Sequence, residues 1–374
     1  MNRRDWMKTA GTAAAVAALP LDVLARRGAG KPRDTAGKLE THIVRLNLRH
    51  TWTTTMSSSE YRDVIYARYT RGGVTGLGEG APIVRYNEDA KTAQAMLEKV
   101  RDLVQNADPW HYEKLMAQVT KQVPGEHAGK AALDIALLDW VGKNLNVPLY
   151  RLFGLDPADA PVTTMSVGVD TPEMTRKKVE EAAAFPVLKI KMGIGQDEAT
   201  LEAIRAVTDK RLRVDANEGW KTKEEAVEKI NWLEGHGVEL VEQPLGADMI
   251  EETTWVRSRV HLPIIADEAC TEAAMIPRLA EAYDGVNVKL DKAGGVLAAH
   301  RWISIAKALG MKTMLGCMVS SSISVTAAAH LSPLVDYADL DGNLLVANDP
   351  YQGVQVRDGK LVLPNRPGLG LTKV

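Results

Sequence analysis

Polar or reactive residues recur at a nearly constant interval through the second half of this 374-residue chain. Lys191, Asp215, Glu242, Asp267, Lys292, Cys317 and Asp341 are spaced 24, 27, 25, 25, 25 and 24 positions apart. Each lies at the end of a short β-branched run, and an amphipathic stretch separates each run from the next. With a further run at 163–167 there are eight such segments. Alternating strands and helices at this period predict an α/β fold, a (β/α)7β TIM-type barrel. In such a barrel the C-terminal ends of the strands converge on one mouth, so the periodic residues form one ring.

The first half has a different character. Runs at 42–48 and 64–69, an Arg71-Gly72-Gly73 turn and a run at 74–79 signal antiparallel strands with a tight hairpin. Helical periodicity follows over 87–106, 111–123 and 127–144, the last with Ala132, Ile135, Ala136 and Trp140 on one stripe. Residues 38–155 therefore form an N-terminal α+β domain, 156–345 the barrel, and 346–374 a C-terminal segment that returns to the first domain. Gly76-x-Gly78-x-Gly80 has neither the spacing nor the following helix of a phosphate loop, because Pro82 comes next.

Residues 1–25 carry Arg3-Arg4-Asp5-Trp6-Met7-Lys8, an uncharged Ala-rich run from Thr9 to Leu21, and small residues to Ala25. These are the parts of a signal peptide, and the paired arginines resemble a twin-arginine (Tat) export signal, which implies a periplasmic protein. The apolar run is shorter than the ~20 residues a membrane span requires. Residues 26–37 are expected to be a linker. Lys and Arg total 46 against 48 Asp and Glu, so no cationic excess is available for a nucleic-acid backbone. The two cysteines, Cys270 and Cys317, occur in unrelated contexts and are expected to be free.

Three successive ring positions are carboxylates: Asp215, Glu242 and Asp267. Converging carboxylates without His or Cys favour a hard cation such as Mg²⁺. Lysines flank them in chain order. Lys189 and Lys191, two apart on one strand, point to the same side, and Lys292 follows the acids. Crowded cations lower an ammonium pKa, which would suit an inward lysine to proton transfer. Asp339 and Asp341 also share a face at the eighth run, and two carboxylates there suit an ammonium group. Ser166, on the first run, is a further candidate substrate contact.

These motifs carry a resemblance. Residues 131–143, Lys189-Ile190-Lys191, Asp215-Ala216-Asn217, Glu242-Gln243-Pro244, Asp267-Glu268, Lys289 to Gly295 and Gly316-Cys317-Met318 together resemble the enolase superfamily, in its muconate-lactonizing-enzyme-like subgroup. The likeness spans nearly everything after the signal. It implies an enolase-like fold with the N-terminal domain capping the barrel, and an isomerase using Mg²⁺. Asp215, Glu242 and Asp267 would hold the metal, backed by Asn217 and Glu268. Lys191 and Lys292 would be the acid/base pair, and Lys189 would tune Lys191 and help stabilise an enolate.

The Asp339-x-Asp341 pair is similar to that of dipeptide epimerases in this subgroup. It implies a dipeptide substrate whose ammonium the two acids hold, with inversion at the C-terminal residue by Lys/Lys proton transfer. The alternatives are an N-acylamino-acid racemase, an o-succinylbenzoate synthase or a cycloisomerase, or, more distantly, a non-catalytic periplasmic peptide-binding protein. A homo-oligomer is the default assembly. The loop expected to close over the mouth, His50 to Glu60, is rich in Thr and Ser. Its only nearby cations are the flanking Arg49 and Arg62, which favours small or hydrophobic second residues, while export to a compartment where cell-wall peptides are reachable keeps Ala-Glu as the alternative.

Overall fold

Three antiparallel strands open the fold: β1 (Lys38–Thr53), β2 (Ser58–Arg71) and β3 (Val74–Gly80), in that order. The computed structural model describes residues 36–374, and the proposed export signal and most of the linker lie outside them. Gly72 and Gly73, with φ of 60° and 79°, make the β2–β3 turn that only φ > 0 allows. β1 runs on to Thr53, so the expected loop shrinks to the four residues 54–57, with a register shift between Asn47 and Trp52. Alternating Thr and Ser are compatible with strand as well as loop, and pairing Trp52 with Ser59 decides for strand.

The triple-glycine run has a packing role. Gly76, Gly78 and Gly80 share one face of β3, and a Cβ on any of them would collide with the carbonyl of Ala136, Ala132 or Ala128 respectively. Those alanines stand one turn apart on the helix His127–Leu145. Glycines at period two against alanines at period four let a strand and a helix approach backbone to backbone. This helix is buried from Ala128 to Gly142, rather than along the single stripe expected. The sheet takes one side, and Asp134 on another accepts from the backbone N–H of Val296 at 2.6 Å. Asp139 accepts from Leu369 N at 2.8 Å, joining the C-terminal segment to the same helix.

The barrel strands are β4 (Met165–Val167), β5 (Val187–Lys191), β6 (Arg211–Asp215), β7 (Val238–Glu242), β8 (Ile264–Ala266), β9 (Gly285–Lys289), β10 (Lys312–Gly316) and β11 (Tyr337–Asp339). All neighbours pair in parallel, and the sheet order follows the chain. A bridge between Thr163 and Ala338 brings the two edges together. Leu240, Ile265 and Met314 form a buried cluster, and the period of two then turns Glu242, Asp267 and Gly316 to the same interior, one step nearer the mouth. Among the described residues no helix is long and apolar enough to cross a membrane.

Candidate active site

The ring foreseen in the sequence exists, with two of its members shifted. Asp215 and Glu242 are the last residues of β6 and β7, and Asp267 directly follows β8. All three are at most 1% exposed, and one oxygen from each lies within 4.8 Å of the others. Lys191, the last residue of β5, donates to Asp215 Oδ2 at 2.5 Å. Lys189, one step deeper, contacts Asp215 Oδ2 at 3.1 Å, Glu242 Oε2 at 2.8 Å and Asp339 Oδ2 at 2.6 Å.

Lys292 does not end a barrel strand. β9 stops at Lys289, and Lys292 sits on the helical turn Leu290–Ala293 that follows. Its Nζ spends all three protons on Asp267 Oδ1 at 2.5 Å, Asp267 O at 2.7 Å and Asn287 O at 2.9 Å. Lys289 lines the same cavity as Lys191 and donates to Asp267 Oδ2 at 2.6 Å, whereas Lys292 faces a separate cavity beside His127 and Asp291. The regular 25-residue count passed over Lys289 because it took the extended run three residues too far. The signal for stopping was Gly294-Gly295, whose φ of 93° and 126° end the helical turn.

The surroundings fix the acids. Asn217, with φ 42°, donates through Nδ2 to Glu268 Oε1 at 3.0 Å and through its backbone to Asp215 Oδ1 at 3.0 Å. Gln243, with φ 39°, accepts from the backbone N–H groups of Asp267 and Ala269 at 2.9 and 3.1 Å, which sets the direction of Asp267. Asn287 donates to Glu242 Oε1 at 2.8 Å. Gln243 enters the sequence reading only as part of the Glu242-Gln243-Pro244 motif, with no role, and Asn287, two positions before Lys289, does not enter it as a site residue.

Electrostatics depart from the expectation of a lowered lysine pKa. Lys189 is held well above its ordinary value although burial opposes this, because Asp339, Glu242, Asp215 and Asp267 surround it. Lys289 is raised by Asp267 and Glu242 in the same way. The carboxylates outweigh the mutual repulsion of the lysines. Burial pushes Glu242 up to about 7, aided by the charge of Asp215, and Glu268 up to about 8 beside Asp267. Asp267 lies well below its ordinary value because Lys289 and Lys292 overcome its burial.

A divalent cation fits this donor set. Glu268 Oε2 and Asn217 Oδ1 are buried oxygens without a hydrogen-bond partner, Glu242 Oε2 has only the ion-pair contact of Lys189, and three converging carboxylates concentrate charge that lysines alone share.

Asp339 and Asp341 are 4% and 3% exposed. Asp339 accepts from Lys189 and, at 2.5 Å, from Thr164 Oγ1, and these partners bring its pKa down to about 2. Asp341 lies beyond the end of β11, accepts from Ser166 N, and is pushed up to about 7 by burial and by Asp339. The Ser166 hydroxyl is 3.4 Å from Asp339 Oδ1. The two acids and Ser166 are thus one cluster, and Lys189 links it to the three carboxylates. Cys317 lines the cavity, and both cysteines are free thiols.

The first-domain hairpin covers this mouth. Thr55 Oγ1 donates to Asn217 O at 2.6 Å, and Trp52, Thr54, Met56 and Arg62 share the cavity wall with Lys191 and Lys289. Arg85 is there too, held by Glu218 through two bonds of 2.8 and 2.9 Å.

Comparison with known proteins agrees with this architecture. Residues 38–154 match the mandelate racemase/muconate lactonizing enzyme N-terminal domain, and 173–373 match the enolase C-terminal domain-like family. The chain is 37% identical to an L-Ala-D/L-Glu epimerase of Bacteroides thetaiotaomicron, with 100% of each chain covered. It is 42% identical to an L-Ala-D/L-amino acid epimerase of Pedosphaera parvula, covering 86% of this chain and 94% of that one. Among solved structures, a dipeptide epimerase of Enterococcus faecalis V583, complexed with Mg and L-Leu-L-Tyr, superposes with a TM-score of 0.84 at 32% identity, covering 90% of this chain and 99% of that one. With both its domains matched in order and its barrel carrying the expected ring of acids and lysines, the chain belongs to the mandelate racemase/muconate lactonizing enzyme family of the enolase superfamily.

Proposed function

We propose that this protein is a Mg²⁺-dependent dipeptide epimerase that inverts the α-carbon of the C-terminal residue, with Lys191 and Lys289 as its two bases. The observation that carries the reading is the position of these lysines. β5 and β9 are four strands apart in an eight-stranded barrel, so their terminal residues face each other across the mouth, and both line one cavity. A substrate α-carbon between them presents one face to each. One lysine, as the free amine, takes the α-proton; the other, as ammonium, returns a proton to the opposite face. Net change is inversion at carbon, with no redox step.

Asp215, Glu242 and Asp267 would hold the Mg²⁺. When bound, it offsets the negative charge that builds on a carboxylate as its α-proton leaves. Lys189, fixed among the acids, adds a permanent positive charge on the same side. Asp339 and Asp341 supply the counter-charge for a substrate ammonium, which favours free dipeptides over N-acylated amino acids. The epimerase names of the relatives support the same choice.

The test is incubation of pooled L-Ala-L-X and L-X-L-Ala dipeptides with protein and Mg²⁺ in D₂O, read by mass spectrometry. A one-dalton gain in particular dipeptides is the expected result. A gain confined to N-acylamino acids would transfer the protein to the racemase alternative. Export to the periplasm rests on Arg3-Arg4 and the apolar run after them. Cell fractionation of the R3K/R4K variant should find the protein retained inside, and unchanged export would remove that assignment.

A further inference from the structure

The turn after β6 is gripped by the first domain on one side and holds the barrel acids on the other. Asn217 and Glu218 are consecutive left-handed residues, with φ of 42° and 61°, a conformation that costs any residue with a Cβ and persists only where it is held. Three contacts pin their backbone: Thr55 Oγ1 donates to Asn217 O at 2.6 Å, Glu218 N to Gln243 O at 2.9 Å, and Gly219 N to Ala216 O at 2.8 Å. The Glu218 carboxylate accepts three more bonds, from Arg85 Nε at 2.8 Å, Arg85 Nη2 at 2.9 Å and Ala247 N at 2.8 Å. Toward the barrel, Asn217 donates through N to Asp215 Oδ1 and through Nδ2 to Glu268 Oε1, both at 3.0 Å. Asn217 Oδ1 is buried without a partner, so the direction of this side chain follows its backbone.

Arg85 is the link to the first domain. It sits on the helical turn Val84–Tyr86, and Ile83 to Tyr86 line the cavity beside Lys191 and Lys289. Its two parallel bonds to Glu218 use the planar fork of a guanidinium, which an ammonium cannot reproduce. The two side chains are 35% and 18% exposed, so the pair is partly shielded from water and salt. Glu218 neutralises Arg85, and the guanidinium acts on the turn.

We propose that Arg85 is a positioning residue for the metal site: by clasping Glu218 it holds the left-handed turn, and through Asn217 it sets Asp215 and Glu268, so that seating of the segment 83–88 and binding of Mg²⁺ favour one another. The inference rests on the assignment of Mg²⁺ to Asp215, Glu242 and Asp267, and adds a control on it from the first domain. The coupling is reciprocal, because two events that share one element must each strengthen the other by the same factor. Asn217 and Glu218 are the shared element here. Metal held by Asp215 fixes Asn217 from below, and Arg85 fixes Glu218 from above.

The experiment uses Mg²⁺ alone, with no substrate. Isothermal titration calorimetry should show Mg²⁺ binding weakened about 5- to 20-fold in R85M, within the range of coupled sites. R85K, with the charge but not the fork, should recover part of it. R45Q is the control, since Arg45 and Asp63 make a pair of the same geometry, 2.8 and 2.9 Å, within the first domain's own sheet, and it should bind Mg²⁺ as the wild type does. Hydrogen exchange of the backbone amides over 83–88, compared with and without Mg²⁺ in each protein, supplies the reciprocal readout: Mg²⁺ should slow it in the wild type and leave it unchanged in R85M. Should R85M not fold, E218Q gives the same comparison, because it keeps an acceptor for Ala247 N and removes the charge that Arg85 clasps. A lower urea midpoint in R85M with wild-type Mg²⁺ affinity and wild-type protection by Mg²⁺ would make the pair merely structural and overturn the inference, as would equal weakening in R45Q. Failure of the wild type to bind Mg²⁺ would overturn the metal assignment and the inference with it.

Discussion

Lys289 and Lys292 grip opposite oxygens of a single carboxylate: Lys289 Nζ is 2.6 Å from Asp267 Oδ2, and Lys292 Nζ is 2.5 Å from Oδ1. Their neighbourhoods separate their roles. Lys292 also saturates two backbone carbonyls and is 2% exposed, so it positions Asp267. Lys289 is on the cavity wall with protons to exchange.

Lys191→Met and Lys289→Met should therefore each abolish α-proton exchange from one isomer of the substrate, by at least about 100-fold for a lost acid/base group, while the fold persists. Lys292→Met should instead reduce Mg²⁺ affinity and thermal stability, since it removes a donor from Asp267 Oδ1, Asp267 O and Asn287 O. Deuterium uptake followed separately from L-Ala-L-X and L-Ala-D-X distinguishes them. Isomer-selective loss in Lys292→Met alone would reverse the two roles.

Mg²⁺ should raise the thermal midpoint, because ligand binding to the folded state adds to its stability and the three carboxylates repel one another. Glu242→Gln keeps the acceptor for Asn287 Nδ2 yet removes a charge. The expected result is a Mg²⁺-induced shift that survives in the wild type and largely vanishes in Glu242→Gln, measured by differential scanning fluorimetry across a Mg²⁺ titration. An undiminished shift in the variant would exclude Glu242 as a ligand.

Asp341→Asn should raise KM for dipeptides about 10- to 100-fold, the cost of losing a charge-assisted contact, with Mg²⁺ affinity unchanged. Asp341 is the cleaner probe of the pair, because Asp339→Asn would also free Lys189 from its 2.6 Å partner and disturb the barrel acids. Steady-state kinetics alongside the Mg²⁺ titration decide it, and equal effects on KM and metal affinity would refute a substrate role.

The ring of acids was legible because strand ends in a barrel converge whatever the loops do, and Asp215, Glu242 and Asp267 needed only their spacing. Lys292 was misplaced for the complementary reason: spacing counts residues, and a helical turn consumes three of them without lengthening the strand. The hairpin was opaque for a third reason. Trp52, Thr53 and Ser58 to Tyr61 look like loop by composition, and their pairing across β1 and β2 depends on a register shift that local sequence does not encode.

Gly78→Ala tests the strand–helix contact that seats the capping domain. The added methyl would meet the carbonyl of Ala132, backbone against backbone, where no rotamer can relieve it. Overpacking of this kind costs about 1–3 kcal/mol or more. A lower urea midpoint with an unchanged m-value is expected. A stable variant would show that helix and strand separate freely.

His330 should set an acid limit on stability that is independent of the catalytic acids. It is fully buried, stacks on Tyr150 with ring centroids 5.7 Å apart, accepts from Tyr150 N at Nδ1 and lies 3.3 Å from Leu369 O through Nε2. That pattern fits the neutral ring, and burial lowers its pKa from 6.5 to about 4. The unfolded chain takes up a proton below about 6.5 and the folded one only near 4, so the native state loses stability as pH falls through that interval. The loss is bounded at about 3 kcal/mol, from 1.36 kcal/mol per pKa unit. His330→Gln should be less stable than the wild type at pH 7, having lost the stacked ring, yet lose less stability between pH 6.5 and 4. Urea midpoints of both proteins at several pH values in that interval give the comparison. Parallel curves would mean that His330 is not the group being protonated.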